Sequence, residues 1–126
     1  MSKPTIAVIG ASADRGKFGN KGVRAYLRQG YDVFPVNPRE QNIEGLPAFR
    51  SINDVPAMGL DRVSIYLPPA VTLQVLPDIA RKTVGEVWLN PGSESAEVIA
   101  QAQALGLNIV AGCSIVDIGV SPYELD

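Results

Sequence analysis

Short apolar runs separated by amphipathic segments recur along the chain, and this recurrence is its main structural signal. The first run, Thr5–Ile9, is apolar almost throughout and stops at Gly10. A strand that is buried on both faces of a parallel sheet has this pattern. Similar runs predict four more strands, over residues 31–36, 61–67, 86–89 and 107–111.

The segments between these strands have the spacing of helices. Helices are predicted over residues 18–29, 70–83 and 93–105. Pro77 lies inside the second helix, so we expect a kink there or a break into two short helices. Weaker signals predict a short third strand near residues 47–49 and a short helix near residues 53–57. Residues 112–126 show no clear period.

Strands that alternate with helices over a whole chain predict an α/β fold with a doubly wound, mainly parallel sheet and helices on both faces. The chain has 126 residues, a length typical of one domain, so residues 1–126 are expected to form a single domain. In such sheets ligands bind outside the carboxyl ends of the strands, where the strand order reverses. The segments that follow the strands are therefore the candidate site.

These segments share a composition of small, proline and amide residues, which expose backbone and admit a flat or extended ligand. They are Gly10-Ala11-Ser12, Val36-Asn37-Pro38-Arg39, Leu67-Pro68-Pro69 and Asn90-Pro91-Gly92. They lie far apart in sequence, yet the predicted fold gathers them at one edge of the sheet.

The loop after the first strand is the strongest candidate for binding phosphate. Gly10 permits a tight turn and a close backbone approach, and Ser12 offers a hydroxyl. The helix that follows offers unpaired N–H groups and a positive dipole end. Arg15 and Lys17 add charge. The alternative is a strand-to-helix turn that needs glycine for its geometry alone.

The glycines of this loop do not form the dinucleotide fingerprint G-x-G-x-x-G. The second strand also ends at Asn37, where NAD enzymes usually carry an acid for the ribose 2′-hydroxyl. Arg39 follows, and a cation there suits a ribose with an extra phosphate, as in NADP or coenzyme A. The alternative for Arg39 is an exposed loop residue with no ligand.

Composition and charge exclude several classes of protein. The chain has no histidine and one cysteine, Cys113, which excludes a Ser-His-Asp triad, a Cys-His pair and an intrachain disulfide. Its net charge is −2, which disfavours nucleic acid as a partner. The charge is unevenly distributed, at +5 over residues 1–39 and −7 over residues 40–126. No apolar run is long enough to span a membrane and no signal peptide is visible, so a cytoplasmic location is expected.

Five segments in order resemble the small coenzyme A-binding proteins of the Rossmann type, which are related to the CoA-binding domain of the succinyl-CoA synthetase α subunit. The segments are VIGAS at residues 8–12, GYDVFPVNP at 30–38, GLPAF at 45–49, SIYLPP at 64–69 and VWLNPG at 87–92. The resemblance extends over about residues 5–112 and implies that coenzyme A is the ligand.

The resemblance also implies a role for each segment. The loop Gly10, Ala11, Ser12, Ala13, Asp14 and Arg15, with Lys17, would hold the CoA diphosphate. Asn37, Pro38 and Arg39 would lie against the adenosine 3′-phosphate. Leu67, Pro68 and Pro69 would flank the adenine or the pantetheine arm. Asn90, Pro91 and Gly92 would line the far side of the cleft, and Cys113 lies where these proteins often carry a cysteine.

The succinyl-CoA synthetase reaction needs a phosphorylated histidine from a second domain, and this sequence has no histidine. We therefore expect a carrier or regulatory module that binds CoA or an acyl-CoA, with no catalytic residue and no metal site. Two alternatives stay open: an NADP-dependent oxidoreductase, and an interaction subunit with a vestigial nucleotide site. Trp88 and the proline-rich segments are candidates for a homodimer surface, although an apolar strand residue is usually core.

Overall fold

The computed structural model of the protein describes residues 3–125. Its seven strands are β1 (Thr5–Ile9), β2 (Asp32–Val36), β3 (Asn42–Ile43), β4 (Leu46–Pro47), β5 (Gly59–Ile65), β6 (Thr83–Leu89) and β7 (Ile109–Ala111). Five of them form a parallel sheet in the order β2-β1-β5-β6-β7. The other two, β3 and β4, form a separate antiparallel hairpin. The predicted strands are all present, although β5 and β6 begin earlier than their apolar runs do.

Four helices cover the two faces of the sheet: α1 (Phe18–Arg28), α2 (Pro69–Ile79), α3 (Ala96–Ala104) and α4 (Ser114–Asp117). The helices α2 and α3 pack on one face, while α1 and α4 pack on the other. The predicted fold class, a doubly wound α/β fold of the Rossmann type, is therefore confirmed. No helix within residues 3–125 has the length and apolarity that a membrane span requires.

The chain between β4 and β5 contains a single residue, Phe49, that pairs with the main five-stranded sheet as a sixth strand would. Phe49 forms an isolated parallel bridge with Val36. The Phe49 N–H donates to the Pro35 carbonyl and the Asn37 N–H donates to the Phe49 carbonyl, both at 2.9 Å. Phe49 therefore lies where the third strand of the doubly wound fold lies, outside β2. The predicted helix near residues 53–57 is a 3-10 turn at Ile52–Asp54.

The predicted break of the second helix at Pro77 is wrong, and so is the predicted start of the third helix. Helix α2 is not broken at Pro77, because the proline lies near its end and the next hydrogen bond, from the Ala80 N–H to the Leu76 carbonyl, still forms at 3.0 Å. Helix α3 starts later than predicted, after Ser95, whose hydroxyl accepts from the Val98 N–H. The tail also contains structure, namely α4 and a 3-10 turn at Pro122–Leu125, and both pack on α1.

The sheet topology fixes the position of the candidate site. Strand β1 lies inside the sheet, between β2 and β5, and its residues Ile6, Ala7 and Val8 are fully buried. From β1 the chain crosses to β2 on one side, and from β2 it returns to β5 on the other. The strand order therefore reverses between β1 and β5, which places the crevice beside Gly10 and Tyr66.

Candidate functional site

The turn after β1 brings strand, loop and helix into close contact. Gly10 has a φ of +85°, a conformation that favours glycine. A Cβ at Gly10 would lie 2.7 Å from the Tyr66 carbonyl oxygen. A Cβ at Gly19 in the first turn of α1 would overlap the Gly10 carbonyl oxygen. These glycines let α1 start directly against β1, and they explain a glycine pattern that is not the dinucleotide fingerprint.

Asn37 connects this turn to the end of β2. Its side-chain amide donates to the Ala11 carbonyl at 2.8 Å. Its side-chain oxygen accepts from the backbone N–H groups of Arg39 at 2.7 Å and Glu40 at 3.1 Å. The polar atoms of Asn37 are therefore bonded to the backbone, and the residue positions two loops rather than presenting its amide to a ligand.

The loop itself is ordered by short-range hydrogen bonds. The Ser12 hydroxyl oxygen accepts from the Asp14 N–H at 3.0 Å, and the Asp14 carboxylate accepts from the Gly16 N–H at 2.9 Å. The Arg15 guanidinium lies 3.6 Å from the Glu44 carboxylate, and its side chain is mostly exposed. Asp14 therefore acts as a hydrogen-bond acceptor within the turn. Its negative charge does not suit it to bind an anion.

Sequence reasoning missed Asn20, which supports this loop from below. Asn20 is fully buried and donates to the Ser12 carbonyl at 2.9 Å and to the Glu44 carboxylate at 3.1 Å. Its side-chain oxygen accepts from Arg24 at 2.7 Å, and Arg24 also donates to the Arg15 carbonyl. The sequence does carry one sign of this role, because Asn20 is an amide residue on the side of the amphipathic helix α1 that is buried.

The amino-terminal end of α1 is open to an anion. The helix begins after Lys17, and neither a side-chain cap nor an acidic residue occupies its first turn. The first N–H groups of a helix have no intrahelical acceptor, and they carry the positive end of the helix dipole. Lys17, Phe18 and Gly19 line a cleft at this end. The arrangement has the charge and donors that a phosphate group requires.

Two clefts meet at this point and share Gly10, Lys17, Tyr66 and Leu67. The larger cleft, of about 560 Å³, extends toward β2. The smaller cleft, of about 360 Å³, extends toward β6. Among the predicted residues, the larger cleft adds Ala11, Ser12, Asn37 and Pro38 to its lining, and the smaller adds Pro68, Asn90, Pro91 and Gly92.

The remaining predicted residues lie outside both linings: Ala13, Asp14, Arg15, Arg39 and Pro69. The basic residue that lines the larger cleft near β2 is Arg50, which sequence reasoning did not select. Arg50 directly follows Phe49. The strand at Phe49 is only weakly indicated by the sequence, so the sequence does not show that Arg50 follows a strand of the sheet. Arg39 is exposed, in agreement with the alternative that it is an ordinary loop residue.

A buried polar network lies beneath the smaller cleft. Asn90 donates to the Ser64 hydroxyl at 2.8 Å and to the Ile65 carbonyl at 2.9 Å, and its side-chain oxygen accepts from the Ser114 N–H at 2.9 Å. The Ser64 and Ser114 hydroxyls lie 2.7 Å apart. The Asn90 side chain therefore joins β5, β6 and α4. If Asn90 contacts a ligand as predicted, the contact is made by its backbone atoms.

Tyr66 stands between the two clefts. Burial raises its pKa to about 12, because the charged phenolate is less well solvated there than in water. Its hydroxyl lies 3.4 Å from the Ser114 hydroxyl. Tyr66 is therefore neutral at physiological pH and provides an apolar ring to both clefts. Cys113 is half-buried and lines the smaller cleft.

Two other observations concern partners and metals. Trp88 is only 7% exposed and the Arg62 guanidinium lies 5.1 Å from its ring centroid, so its ring is part of the core, as an apolar strand residue usually is, and the homodimer stays a prediction. Within residues 3–125 no group of three or more His, Cys, Asp or Glu residues is placed to hold a metal ion.

This fold and site define a class: an α/β domain that presents a helix amino-terminus and a cation at the switch point of a parallel sheet. The profile of the CoA binding domain family matches residues 4–119, and the chain belongs to that family. The resemblance seen in the sequence is therefore confirmed.

The curated relatives are much longer than this chain. The chain is 32% identical over 118 residues to the α subunit of acetate–CoA ligase [ADP-forming] II from Pyrococcus furiosus, covering 83% of this chain and 25% of that protein. It spans between 12% and 29% of the length of the curated relatives that it matches.

The solved structures that resemble this chain include both short and long chains. A conserved hypothetical protein from Pyrococcus furiosus has 33% identity and a TM-score of 0.82, covering 90% of this chain and 98% of that chain. The dinucleotide-forming acetyl-coenzyme A synthetase 1 of Ca. Korarchaeum cryptofilum, in complex with phosphate and ADP, has 28% identity and a TM-score of 0.72. That match covers 84% of this chain and 25% of the synthetase chain.

Proposed function

We propose that this protein binds coenzyme A or an acyl-CoA in the two joined clefts. The observation that carries the proposal is the uncapped start of α1 beside Gly10, with Lys17 lining both clefts. Helix N–H groups together with a cation are suited to a diphosphate. Membership of the CoA binding domain family supports coenzyme A as the ligand.

The proposed orientation follows the shapes of the two clefts. The diphosphate lies at residues 10–17, where the clefts meet. The adenosine occupies the larger cleft, whose walls include Val71 and Val75, because apolar walls suit the faces of a base. The pantetheine arm passes Leu67 and Pro68 and enters the smaller cleft, beside Asn90, Pro91 and Gly92.

We also propose that the domain, residues 1–126, acts without chemistry of its own, as a carrier or a regulator. The side chains of Ser64, Asn90 and Ser114 near the smaller cleft are hydrogen-bonded to one another, and the raised pKa of Tyr66 makes it a poor acid or base at neutral pH. Ligase activity is a property of the longer relatives. A cytoplasmic location fits the single free cysteine.

NADP is the second candidate ligand, because Arg50 lines the larger cleft and suits any nucleotide that carries a phosphate on its ribose. Thermal unfolding with CoA, acetyl-CoA, NADP and NAD separates these ligands. Binding to the native state adds roughly 2.7 kcal/mol at a ligand concentration of about 100 Kd. We expect the midpoint to rise with CoA or acetyl-CoA; a rise with NADP and none with CoA would overturn the proposal.

A further inference from the structure

The larger cleft contains two basic residues that come from different parts of the fold. Lys17 stands at the start of α1, after the loop of β1, while Arg50 directly follows Phe49. Phe49 lies outside β2, two strand positions from β1, and neighbouring strands are ~4.8 Å apart, so the backbones of these strands are separated by roughly 10 Å. Lys17 and Arg50 therefore approach the cleft from different segments of the fold, and they can serve different phosphate groups of one extended ligand.

The backbone at Arg50 is held on both sides. Phe49 exchanges two hydrogen bonds of 2.9 Å with the chain of β2, and Ser51 caps the 3-10 turn by accepting from the Asn53 N–H at 3.1 Å. The side chain of Arg50 is exposed. Within residues 3–125 it makes no ion pair and no side-chain hydrogen bond. Its five N–H donors are thus available on a fixed backbone.

The other candidates near β2 are accounted for. Arg39 is outside the lining of the cleft, and its backbone N–H is bonded to Asn37. The amide of Asn37 is bonded to the backbone on both of its ends. Asp78, the acid in the cleft, lies on α2 and is 3.9 Å from Arg81. Arg50 is therefore the group that is equipped to bind a second anion at the β2 end.

We propose that Arg50 binds the phosphate on the ribose of the bound nucleotide and sets the preference for CoA over dephospho-CoA. The guanidinium is planar and carries paired donors that match phosphate oxygens. This inference rests on the proposed function, since it assigns one contact of the same ligand. It replaces Arg39, which the sequence pattern favoured for this role.

The test is calorimetric titration of CoA and dephospho-CoA into the wild type, Arg50→Ala, Arg50→Lys and Arg39→Ala, with thermal unfolding to establish that each variant is folded. We expect Arg50→Ala to lower the affinity for CoA by roughly tenfold to a hundredfold, because a charged hydrogen bond is lost. Its affinity for dephospho-CoA should stay that of the wild type. Arg50→Lys should recover part of the preference, and Arg39→Ala should leave it intact.

Four results would overturn the assignment. Equal losses for both ligands in Arg50→Ala would show that Arg50 does not contact the ribose phosphate. Loss of the preference in Arg39→Ala would return the role to Arg39. A wild type that binds neither ligand would reject the proposed function itself, and the inference with it; a wild type that binds both ligands equally would reject the inference alone.

Discussion

The two clefts lie at the same edge of one sheet, yet their polar groups are used differently. The basic residues Lys17 and Arg50 line the larger cleft, and neither side chain makes a hydrogen bond or an ion pair within residues 3–125. Beneath the smaller cleft, Asn90, Ser64 and Ser114 are hydrogen-bonded to each other and to the backbone. A polar residue at a strand end can therefore either bind a ligand or stabilise the fold. Its hydrogen-bond partners within the protein indicate which of these roles it has.

Removal of the Asn90 amide should have the largest effect on stability. Asn90→Ala leaves the buried Ser114 N–H without its acceptor and removes one donor each from the Ser64 hydroxyl and the Ile65 carbonyl, so we expect a loss of about 3 kcal/mol in the free energy of unfolding. Chemical denaturation measures this loss. The control is Asn108→Ala, because Asn108 donates one exposed hydrogen bond to the Gly85 carbonyl and should cost about 1 kcal/mol or less. Similar losses in the two variants would contradict a structural role for Asn90.

A methyl group at Gly19 should damage both the fold and the ligand site. The Cβ of Gly19→Ala would overlap the Gly10 carbonyl oxygen, so α1 must move away from the loop, at a cost of roughly 1–3 kcal/mol. CoA affinity should fall as well, because the helix start is displaced. Gly59→Ala, at the start of β5, is the matched control, since nothing lies within 4 Å of its Cβ position. An unchanged affinity in Gly19→Ala would separate the α1 start from the ligand.

The Lys17 charge should matter for binding and little for stability. Lys17→Ala keeps the start of α1, because the lysine side chain makes no cap hydrogen bond there. We expect CoA to bind about tenfold more weakly, as for loss of one charged contact, with an unfolding midpoint near that of the wild type. Lys3→Ala, at an exposed position before β1, is the control. A large loss of stability in Lys17→Ala would contradict a role in binding alone. It would show that Lys17, like Asn90, stabilises the fold.

Tyr66 provides an effect on stability that is confined to alkaline pH. Its pKa is raised from 10 in the unfolded chain to about 12 by burial, so the unfolded state releases its proton first as the pH rises. The native state therefore loses stability between pH 10 and 12, and Tyr66 contributes no pH dependence below that window. Burial also raises the pKa of Tyr26, which adds a loss in the same direction.

Unfolding free energies of the wild type and Tyr66→Phe across pH 9 to 12 test this statement. The phenylalanine variant should show a shallower decline, because one of the two buried phenols is absent. Tyr123→Phe, at a residue 85% exposed, should follow the wild-type curve. A variant curve parallel to the wild type would contradict the burial of the Tyr66 hydroxyl.

The framework of the fold was predictable from sequence because its signals are local. The run Thr5–Ile9 and its counterparts are apolar over the length of a buried strand, and glycine or proline stops each of them. The Phe49 strand was only weakly indicated, since one bridge leaves no periodic pattern. Helix α4, with four residues, is likewise too short to have a period.

The predicted site was less complete, because its missing residues depend on pairing between distant segments. Ser64 and Ser114 are 50 positions apart and meet only through the β5 and β6 register and the α4 position. Arg50 reaches the cleft through the Phe49 bridge, while Arg39, nearer in sequence to the end of β2, does not. A serine inside the apolar strand β5 was the one local sign of the buried network.

The most direct test of the central claim is an amide chemical-shift titration of the isotopically labelled protein with CoA. We expect the largest changes on the backbone N–H groups of the loop after Gly10 and of the first turn of α1, including Gly19. NAD at the same concentration should produce smaller changes. Changes confined to residues remote from this loop, or none at saturating CoA, would contradict it.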